Sequence, residues 1–298
     1  MMKKGMIISE NAVSEVIGMV MLISIMVLVI GGIMLVGVPM IESGKDRARM
    51  DVAANSFLSM QNDIEEVVRG PIWVVDPLGM TNINQLGPSR ETEFELMGGT
   101  ITVKSNKMNV TCSFNNCSKM EVKNFTIFLP ASNITYEANN EIIAYENGAV
   151  IRKYESGEPI MLSNPLISIY NNGSTGTVIS IHVISIKGTS SSTGGDGKGY
   201  IETRLTNYSE IVPAPLDYPN LNQTNITIYS QYPLAWKNFS EGKLIDAGLV
   251  DAPKGNKSGY NISIGKALEV QIYGKDPTNQ TKDIFLSMYE TRLDVKVR

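Results

Sequence analysis

The architecture of this chain is set by one segment, VIGMVMLISIMVLVIGGIMLVGVPMI, which runs from Val16 to Ile41. It contains no charged residue, and twenty of its 26 residues are apolar. As a helix it would extend about 39 Å, which exceeds the hydrocarbon core of a bilayer at roughly 30 Å. A helix this long that is apolar on all sides is typical of a membrane span and not of the core of a soluble domain. We therefore predict a transmembrane helix over residues 16–41.

The segment differs from a secretory signal peptide that is removed behind its apolar core. Such a core has about 7–15 residues and ends at a small-x-small site, whereas this run is longer and ends in Gly37-Val38-Pro39-Met40. Lys3 and Lys4 precede it, so the positive-inside rule predicts a cytoplasmic N-terminus. Three basic residues between positions 45 and 49 oppose this orientation, and the glycosylation motifs described below favour it.

The helix is predicted to continue outside the membrane as an amphipathic helix over residues 44–69. Its apolar residues recur every three or four positions and so form one stripe: Met50, Ala53, Ala54, Phe57, Met60, Ile64, Val67 and Val68. Gly70-Pro71 ends it, because proline cannot continue the hydrogen-bond ladder and restricts the residue before it. We expect one helix of about 50–55 residues, with a bend or local melting at Gly31-Gly32 and at Gly37-Val38-Pro39.

From residue 71 to residue 298 the apolar period changes to two, which predicts a β-rich region and an α+β fold class. Strands at this spacing favour an antiparallel, sandwich-like or barrel-like domain. Tight hairpins are expected at Gly98-Gly99 and at Glu146-Asn147-Gly148. The low-complexity stretch 188–199, GTSSSTGGDGKG, predicts a flexible hairpin loop. The predicted strands are 94–97, 100–104, 119–128, 141–145, 149–154, 166–170, 177–187, 200–205, 225–230, 260–264, 268–273 and 283–298.

Asn-x-Ser/Thr motifs are unusually dense, and all of them lie C-terminal to the apolar segment. Twelve of the 25 asparagines qualify, where about four would be expected in random order. The excess and its one-sided placement favour N-glycosylation on the outer face of the membrane, although an Asn- and Thr-rich β domain would also produce such motifs by chance. The twelve are Asn109, Asn116, Asn124, Asn133, Asn172, Asn207, Asn222, Asn225, Asn238, Asn256, Asn261 and Asn279.

The two cysteines lie five positions apart in CSFNNC. A zinc site would need further ligands, and a redox CxxC motif has two intervening residues instead of four. We therefore predict that Cys112 and Cys117 close a small disulfide loop in an oxidising exterior, with two free thiols as the alternative.

No pattern in the sequence predicts an enzyme, a metal site or a cofactor. The single histidine, His182, lies among alternating isoleucines and is interpreted as a strand residue. Nucleophile-elbow, zinc-protease and calcium-loop motifs are absent from the sequence. The formal net charge of −4 also argues against a nucleic-acid binder, because there is no surplus of basic residues to displace phosphate counterions.

The N-terminal residues Ala12-Val-Ser-Glu-Val-Ile-Gly-Met-Val-Met-Leu-Ile23 resemble the start of archaeal type IV pilins, the AVSxVIGVxLL pattern. Two later blocks, Tyr145–Val150 (YENGAV) and Ser230–Trp236 (SQYPLAW), are similar to an uncharacterised family of archaeal pilin-like surface proteins. The resemblance implies a class III signal peptide, which is cut on the cytoplasmic side while the apolar helix is retained.

By this resemblance, residues 1–11 are a leader and residues 12–70 the pilin-type helix, so a prepilin-type peptidase would cut between Asn11 and Ala12. A cut after Lys4-Gly5 is the alternative. With the cut before Ala12, Glu15 would be the fourth residue of the mature chain. A carboxylate at the edge of an apolar run is costly without a partner, which makes Glu15 an assembly candidate. The alternative is that Glu15 lies in water at the membrane interface.

Three functions are compatible with these features. The first is a subunit of an archaeal type IV pilus-like extracellular filament with an adhesive role. Its partners would be the membrane, other copies through the N-terminal helix, the pilus assembly machinery and a surface ligand of unknown identity. The second is a single-pass, membrane-anchored and glycosylated surface protein that does not polymerise. The third, an extracellular hydrolase, is the least favoured.

Overall fold

The computed structural model describes residues 10–69, 89–116, 125–171, 176–187, 191–212, 221–252, 259–274 and 283–298. Within these ranges, side chains are described except at 10–15, 69, 105–109, 111–116, 125–131, 212, 221 and 222. The chain divides into two compact units, Met1–Arg49 and Met50–Arg298. The second half of the long helix therefore belongs to the same unit as the β domain, and this unit, called the head below, begins before the predicted boundary at residue 71.

The described residues contain two helices and fourteen strands. The helices are α1 (Glu10–Arg69) and α2 (Pro233–Asp246). The strands are β1 (Ser89–Glu95), β2 (Thr100–Asn116), β3 (Phe125–Ala138), β4 (Glu141–Glu146), β5 (Ala149–Lys153), β6 (Ile160–Ser163), β7 (Ile167–Asn171), β8 (Gly176–Lys187), β9 (Ser191–Gly194), β10 (Lys198–Val212), β11 (Leu221–Tyr229), β12 (Gly259–Ile264), β13 (Leu268–Tyr273) and β14 (Asp283–Val297). The combination of a long N-terminal apolar helix and a mostly antiparallel β domain confirms the predicted α+β class.

Helix α1 is one uninterrupted helix of 60 residues, slightly longer than predicted. It runs through Gly31-Gly32 and contains Pro39 in its interior, so the predicted local melting at these positions is wrong. Proline removes one backbone hydrogen bond, and the helical bonds on either side are sufficient to carry the helix past it. The described part of the helix extends to Arg69, and the predicted stop at Gly70-Pro71 lies outside the described residues.

The described strands are joined in one hydrogen-bonded network, ordered β1-β10-β14-β11-β2-β3-β4-β5-β6 along its main path. Strands β7, β8, β9, β12 and β13 branch from this path. All named pairs are antiparallel except β8 with β14, which run parallel from Gly176–Asp283 to Lys187–Asp294. The network buries both of its faces. Each face carries one hydrophobic cluster, and the side chains of β8 contribute to both. Ile181 and Val183 belong to one cluster, and Ile184 and Ile186 belong to the other.

The predicted apolar stripe of α1 packs against one face of the sheet. All eight stripe residues are buried, and Phe57, Met60 and Ile64 have no exposed surface. Phe57 meets Phe94 of β1 edge-on, with ring centroids 5.3 Å apart. The cluster also contains residues of β2, β3, β4, β8, β10 and β14. The prediction of an amphipathic second half of the helix is confirmed.

Polar contacts flank this stripe on both sides. Arg152 of β5 bonds to Asp51 of the helix at 2.6 Å and to Glu141 at 3.2 Å. Gln61 donates to the backbone carbonyl of Asn164 at 3.1 Å, and Thr92 donates to Asp63 at 2.7 Å. Exposed ion pairs contribute at most about 1 kcal/mol each, whereas burying one large apolar side chain contributes about 1.5–3 kcal/mol. Apolar packing therefore dominates the attachment of the helix, and the polar contacts fix its register.

Helix α2 was not predicted, and it covers part of the opposite face of the sheet. It buries Ala235, Trp236, Ser240 and Leu244. Pro233 occupies the first turn, where its missing N–H would have no helical partner in any case. The same cluster includes strands β12 and β13, which cover the predicted strands 260–264 and 268–273 and pair with each other.

Two predicted loops differ from the structure. Strands β1 and β2 are joined by a turn at Met97-Gly98 but do not pair, because β1 pairs with β10 and β2 pairs with β3. The predicted hairpin at Gly98-Gly99 is therefore wrong. Within the low-complexity stretch, Ser191–Gly194 forms β9 and pairs with Thr100–Val103, so this part is a strand instead of a flexible loop. Sheet pairing with a distant strand overrides the local composition in both places.

We expect Phe57→Ala to lower the free energy of unfolding of the head by about 3–5 kcal/mol, because it removes a fully buried ring between the helix and the sheet. Asn55→Ala, on the exposed side of the same helix, should change it by less than about 0.5 kcal/mol. Denaturant titration of the full chain in detergent, followed by tryptophan fluorescence, measures both. Equal stability of the two variants would show that the stripe does not hold the helix.

Candidate functional site

The first half of α1 exposes an apolar surface on all sides. From Val16 to Ile41 every large apolar side chain is about half exposed or more, from 48% at Val38 to 78% at Leu35. In the described part of the chain this is the one helix long and apolar enough to cross a membrane. Residues 16–41 are called the stalk below. Exposing this much apolar surface to water is unfavourable, so the stalk requires a covering of lipid or protein.

The stalk leaves little polar surface without a partner. The hydroxyl of Ser24 donates to the carbonyl of Val20 at 2.7 Å, so its hydrogen is satisfied within the helix. Charged residues begin at Glu42, where the apolar run ends, and Arg49 lies 3.5 Å from Asp46. Asn11, Ala12 and Glu15 have helical backbone at the other end, and their side chains lie outside the described residues.

The head contains a buried carboxylate, Glu146, at the end of β4. Asn147 and Gly148 form the two-residue turn to β5, with φ values of 48° and 84°. This left-handed pair is the reason for the Asn-Gly sequence. The side-chain oxygen of Asn147 accepts the backbone N–H of Ile184 at 2.8 Å, which attaches the turn to β8. The predicted hairpin at 146–148 is therefore confirmed, and it aims Glu146 into the interior.

Glu146 is the meeting point of the two sequence blocks YENGAV and SQYPLAW. One of its oxygens, Oε2, accepts the hydroxyl of Ser230 at 2.5 Å and the indole N–H of Trp236 at 3.1 Å. Ser230 also accepts the backbone N–H of Tyr232 at 2.9 Å, which shapes the turn into α2. We call Glu146, Ser230 and Trp236 the carboxylate hub. It connects the β4–β5 hairpin to α2 across 90 residues of sequence.

The chemistry available to the hub is structural. Glu146 is 1% exposed and Trp236 is fully buried, so a substrate has no access to the carboxylate. Burial raises the pKa of Glu146, and the hydrogen bonds from Ser230 and Trp236 oppose this shift. A buried carboxylate is tolerated only with such donors, and removing one donor leaves an uncompensated acceptor. The hub therefore specifies how α2 is attached to the sheet.

Sequence reasoning identified both blocks of the hub but not their contact. The signals were an acidic residue directly before an Asn-Gly turn, and a serine, proline and tryptophan in close succession. Neither is specific enough to predict a pair 90 residues apart. His182 is a strand residue in β8, as predicted. In the described part of the chain, no cluster of three or more His, Cys, Asp or Glu side chains could hold a metal ion.

The glycosylation motifs fall into four groups. Asn238 is exposed on α2, and Asn207, Asn225 and Asn261 are half-buried on strands. Asn133 is fully buried on β3, opposite Glu146, and this burial argues against a glycan on its amide nitrogen. The side chains of the other seven lie outside the described residues: Asn109, Asn116, Asn124, Asn172, Asn222, Asn256 and Asn279.

The side chains of Cys112 and Cys117 also lie outside the described residues, so the disulfide stays a prediction.

Comparison with known proteins identifies a family but no characterised relative. A family model described as a family of unknown function (DUF7289) matches residues 79–257, more than half of the chain. This range contains both blocks of the carboxylate hub and excludes the stalk. No curated protein and no solved structure matches the chain.

We expect Glu146→Gln to change how stability depends on pH. Because the pKa of Glu146 is raised in the folded state, the folded protein binds this proton more tightly than the unfolded chain does. The resulting stability is present below the ordinary pKa of 4.5 and is lost as the pH rises through the raised value. Glutamine cannot ionise and can still accept both hydrogen bonds. The variant should therefore gain stability relative to the wild type as the pH rises from about 4 to about 8.

Denaturant titrations of both full chains across this pH range measure the difference. A difference that does not change with pH would mean that Glu146 ionises as an exposed glutamate does. Glu241→Gln, a half-buried glutamate on α2 outside the hub, is the control and should show no comparable trend.

The exposure of each asparagine should determine which glycosylation motifs carry a glycan. We expect a glycan on Asn238 and an unmodified Asn133, because a glycan linked to a fully buried nitrogen cannot be accommodated in this fold. Peptide mass mapping of the protein from its native cells measures both sites. A glycan on Asn133 would contradict the packing of β3 described here.

Proposed function

Since this chain belongs to the DUF7289 family, which has no assigned function, we propose from its own features that it is a structural subunit of an archaeal type IV pilus-like extracellular filament. The observation that carries the proposal is the stalk, a charge-free helical segment of 26 residues with its large apolar side chains exposed. The bilayer would cover this surface in the membrane-anchored precursor, and the stalks of other copies would cover it in the filament.

The two halves of α1 would have different roles: the second half attaches to the head, and the first half contacts other copies. The apolar stripe between Met50 and Val68 is already buried against the head, so it is not free to contact a second copy. The stalk has no such covering within its own compact unit. Contacts between copies would therefore be made by residues 16–41. Among apolar helices that leave the lipid, association depends on close packing, which glycines such as Gly31 and Gly32 permit.

The resemblance of Ala12–Ile23 to pilin starts supplies the route to assembly. A prepilin-type peptidase would cut between Asn11 and Ala12 on the cytoplasmic side and leave the stalk in the membrane. Glu15 would then lie near the new N-terminus, where its carboxylate could pair with an α-amino group of a neighbouring copy. Such a pair offsets the cost of a carboxylate at the edge of the apolar run.

The exposed position of Asn238 supports a glycosylated head on the outer face of the cell. This feature is shared by the second candidate, a single-pass surface protein that does not polymerise. The length of the stalk, sufficient to span a bilayer, supports membrane anchoring in both cases. The two candidates differ in whether the stalk ever leaves the membrane.

Fractionation of native cells tests the proposal. The wild-type protein should be present in sheared extracellular fibres, with a mature chain that begins at Ala12. Glu15→Gln should reduce its amount in fibres at least tenfold and leave the membrane-bound protein intact. Glu42→Gln, at the opposite end of the apolar run, is the matched control and should assemble normally.

Two results would contradict the filament. One is a wild-type protein that is confined to the membrane fraction while fibres form without it. The other is a mature N-terminus beyond residue 41, because the stalk would then be lost. The first result would favour the non-polymerising anchor.

A further inference from the structure

A cleft opens in the head where α1 ends. It has a volume of about 380 Å³, and its lining consists of Val68, Pro165, Leu166, Ile167, Ser168, Ser180 and His182. Val68 is the last residue of the buried stripe, so the cleft adjoins the sheet face that α1 covers. Its wall combines apolar carbon with the hydroxyl groups of two serines, and Ser168 and Ser180 are direct neighbours in the β7–β8 pair.

Two tyrosines on the adjacent strands lie next to His182, which lines the cleft. His182 pairs with Tyr289 in the parallel β8–β14 register. Tyr208 of β10 lies beside them, with ring centroids 6.0 Å from His182 and 6.1 Å from Tyr289. The two tyrosine rings are stacked at an interplanar angle of 21°. All three rings are half-buried, so part of each remains accessible. We call these rings with Ser168 and Ser180 the aromatic cleft.

Neighbouring polar groups hold two of these rings, His182 and Tyr289, in place. The hydroxyl oxygen of the fully buried Thr291 lies 2.6 Å from Nε2 of His182. Burial lowers the pKa of His182 to about 4, so the imidazole is neutral at neutral pH. Tyr289 also bonds to Glu210, an exposed carboxylate directly opposite it on β10. The arrangement is therefore preorganised, which lowers the entropic cost of binding a ligand.

The composition of the aromatic cleft selects for one class of ligand. Aromatic rings offer broad apolar contact, and hydroxyl and carboxylate groups offer directed hydrogen bonds. A sugar ring has the complementary surface, with C–H groups on its faces and hydroxyl groups at its edge. None of the described residues that line the cleft is a lysine or an arginine, and Glu210 opposite Tyr289 adds negative charge, so an anionic ligand is disfavoured.

We propose that the aromatic cleft binds a neutral carbohydrate. Tyr208 and Tyr289 contact a face of the sugar ring, and Ser168 and Ser180 bond to its hydroxyl groups. The proposal does not depend on polymerisation, because a filament and a single-pass anchor would both present the head. It identifies the chemistry of the surface ligand that an adhesive protein requires.

Binding of oligosaccharides by the full chain tests this proposal. The protein is produced in a bacterium without N-glycosylation, so that its own glycans cannot occupy the cleft, and is kept in a detergent without a sugar head group. An array of neutral and acidic oligosaccharides identifies the best neutral ligand, and calorimetric titration measures its affinity. We expect binding to neutral sugars and weaker or no binding to their acidic counterparts.

Three variants locate the binding site. Tyr289→Ala and Tyr208→Ala should each weaken binding about two- to tenfold, the effect expected for loss of one aromatic contact. Ser180→Ala removes only the hydroxyl group and adds no bulk, and it should also weaken binding. Tyr229→Ala, which removes an exposed tyrosine of β11 outside the cleft, should bind as the wild type does. Denaturation midpoints identify any variant that fails to fold, in which case Ser180→Ala carries the test.

The proposal is overturned if the wild type binds no oligosaccharide on the array. It is also overturned if folded variants of the cleft bind as tightly as Tyr229→Ala does, because binding would then occur elsewhere on the chain.

Discussion

One constraint underlies this structure: a single helix must satisfy two different surroundings along its length. Its first part is apolar on every side and is stable only where water is absent. Its second part is apolar along one stripe, and the head buries that stripe almost completely. The helix therefore cannot be separated from the β domain without exposing Phe57, Met60 and Ile64. The second part of the helix is thus a segment of the head's own core.

The sheet is organised around the same requirement. Strand β14 pairs with both β10 and β8, and these strands supply residues to the cluster beneath α1. On the opposite face, α2 closes the second cluster and is attached through Glu146. The buried carboxylate is less favourable than an apolar residue would be on energetic grounds alone. Its donors come from two specific positions, Ser230 and Trp236, and we interpret the hub as a device for specificity in the placement of α2.

The sequence predicts those parts of the fold that local periodicity determines. The stalk, the stripe from Met50 to Val68 and the Asn147-Gly148 turn all follow from spacing and turn chemistry. The parallel pairing of β8 with β14, the strand at Ser191–Gly194 and the separation of β1 from β2 depend on contacts between distant residues. No local pattern encodes such contacts. The same reason explains why the carboxylate hub and the aromatic cleft, each assembled from three or more elements, were not predicted from sequence.

The buried side chain of Asn133 limits when any N-glycosylation of its motif could occur. The motif Asn133-Ile134-Thr135 is accessible to a glycosyltransferase only while β3 is still an extended, unpaired chain. A sugar transferred at that moment would block the closing of β3 onto β4 and would trap the polypeptide in a non-native state. In a glycosylated chain, these two strands would have to pair before the transferase reaches the motif, or the sugar would have to be added only after the domain is complete. Formation of the β3–β4 hairpin would thus end the period in which this motif can be modified.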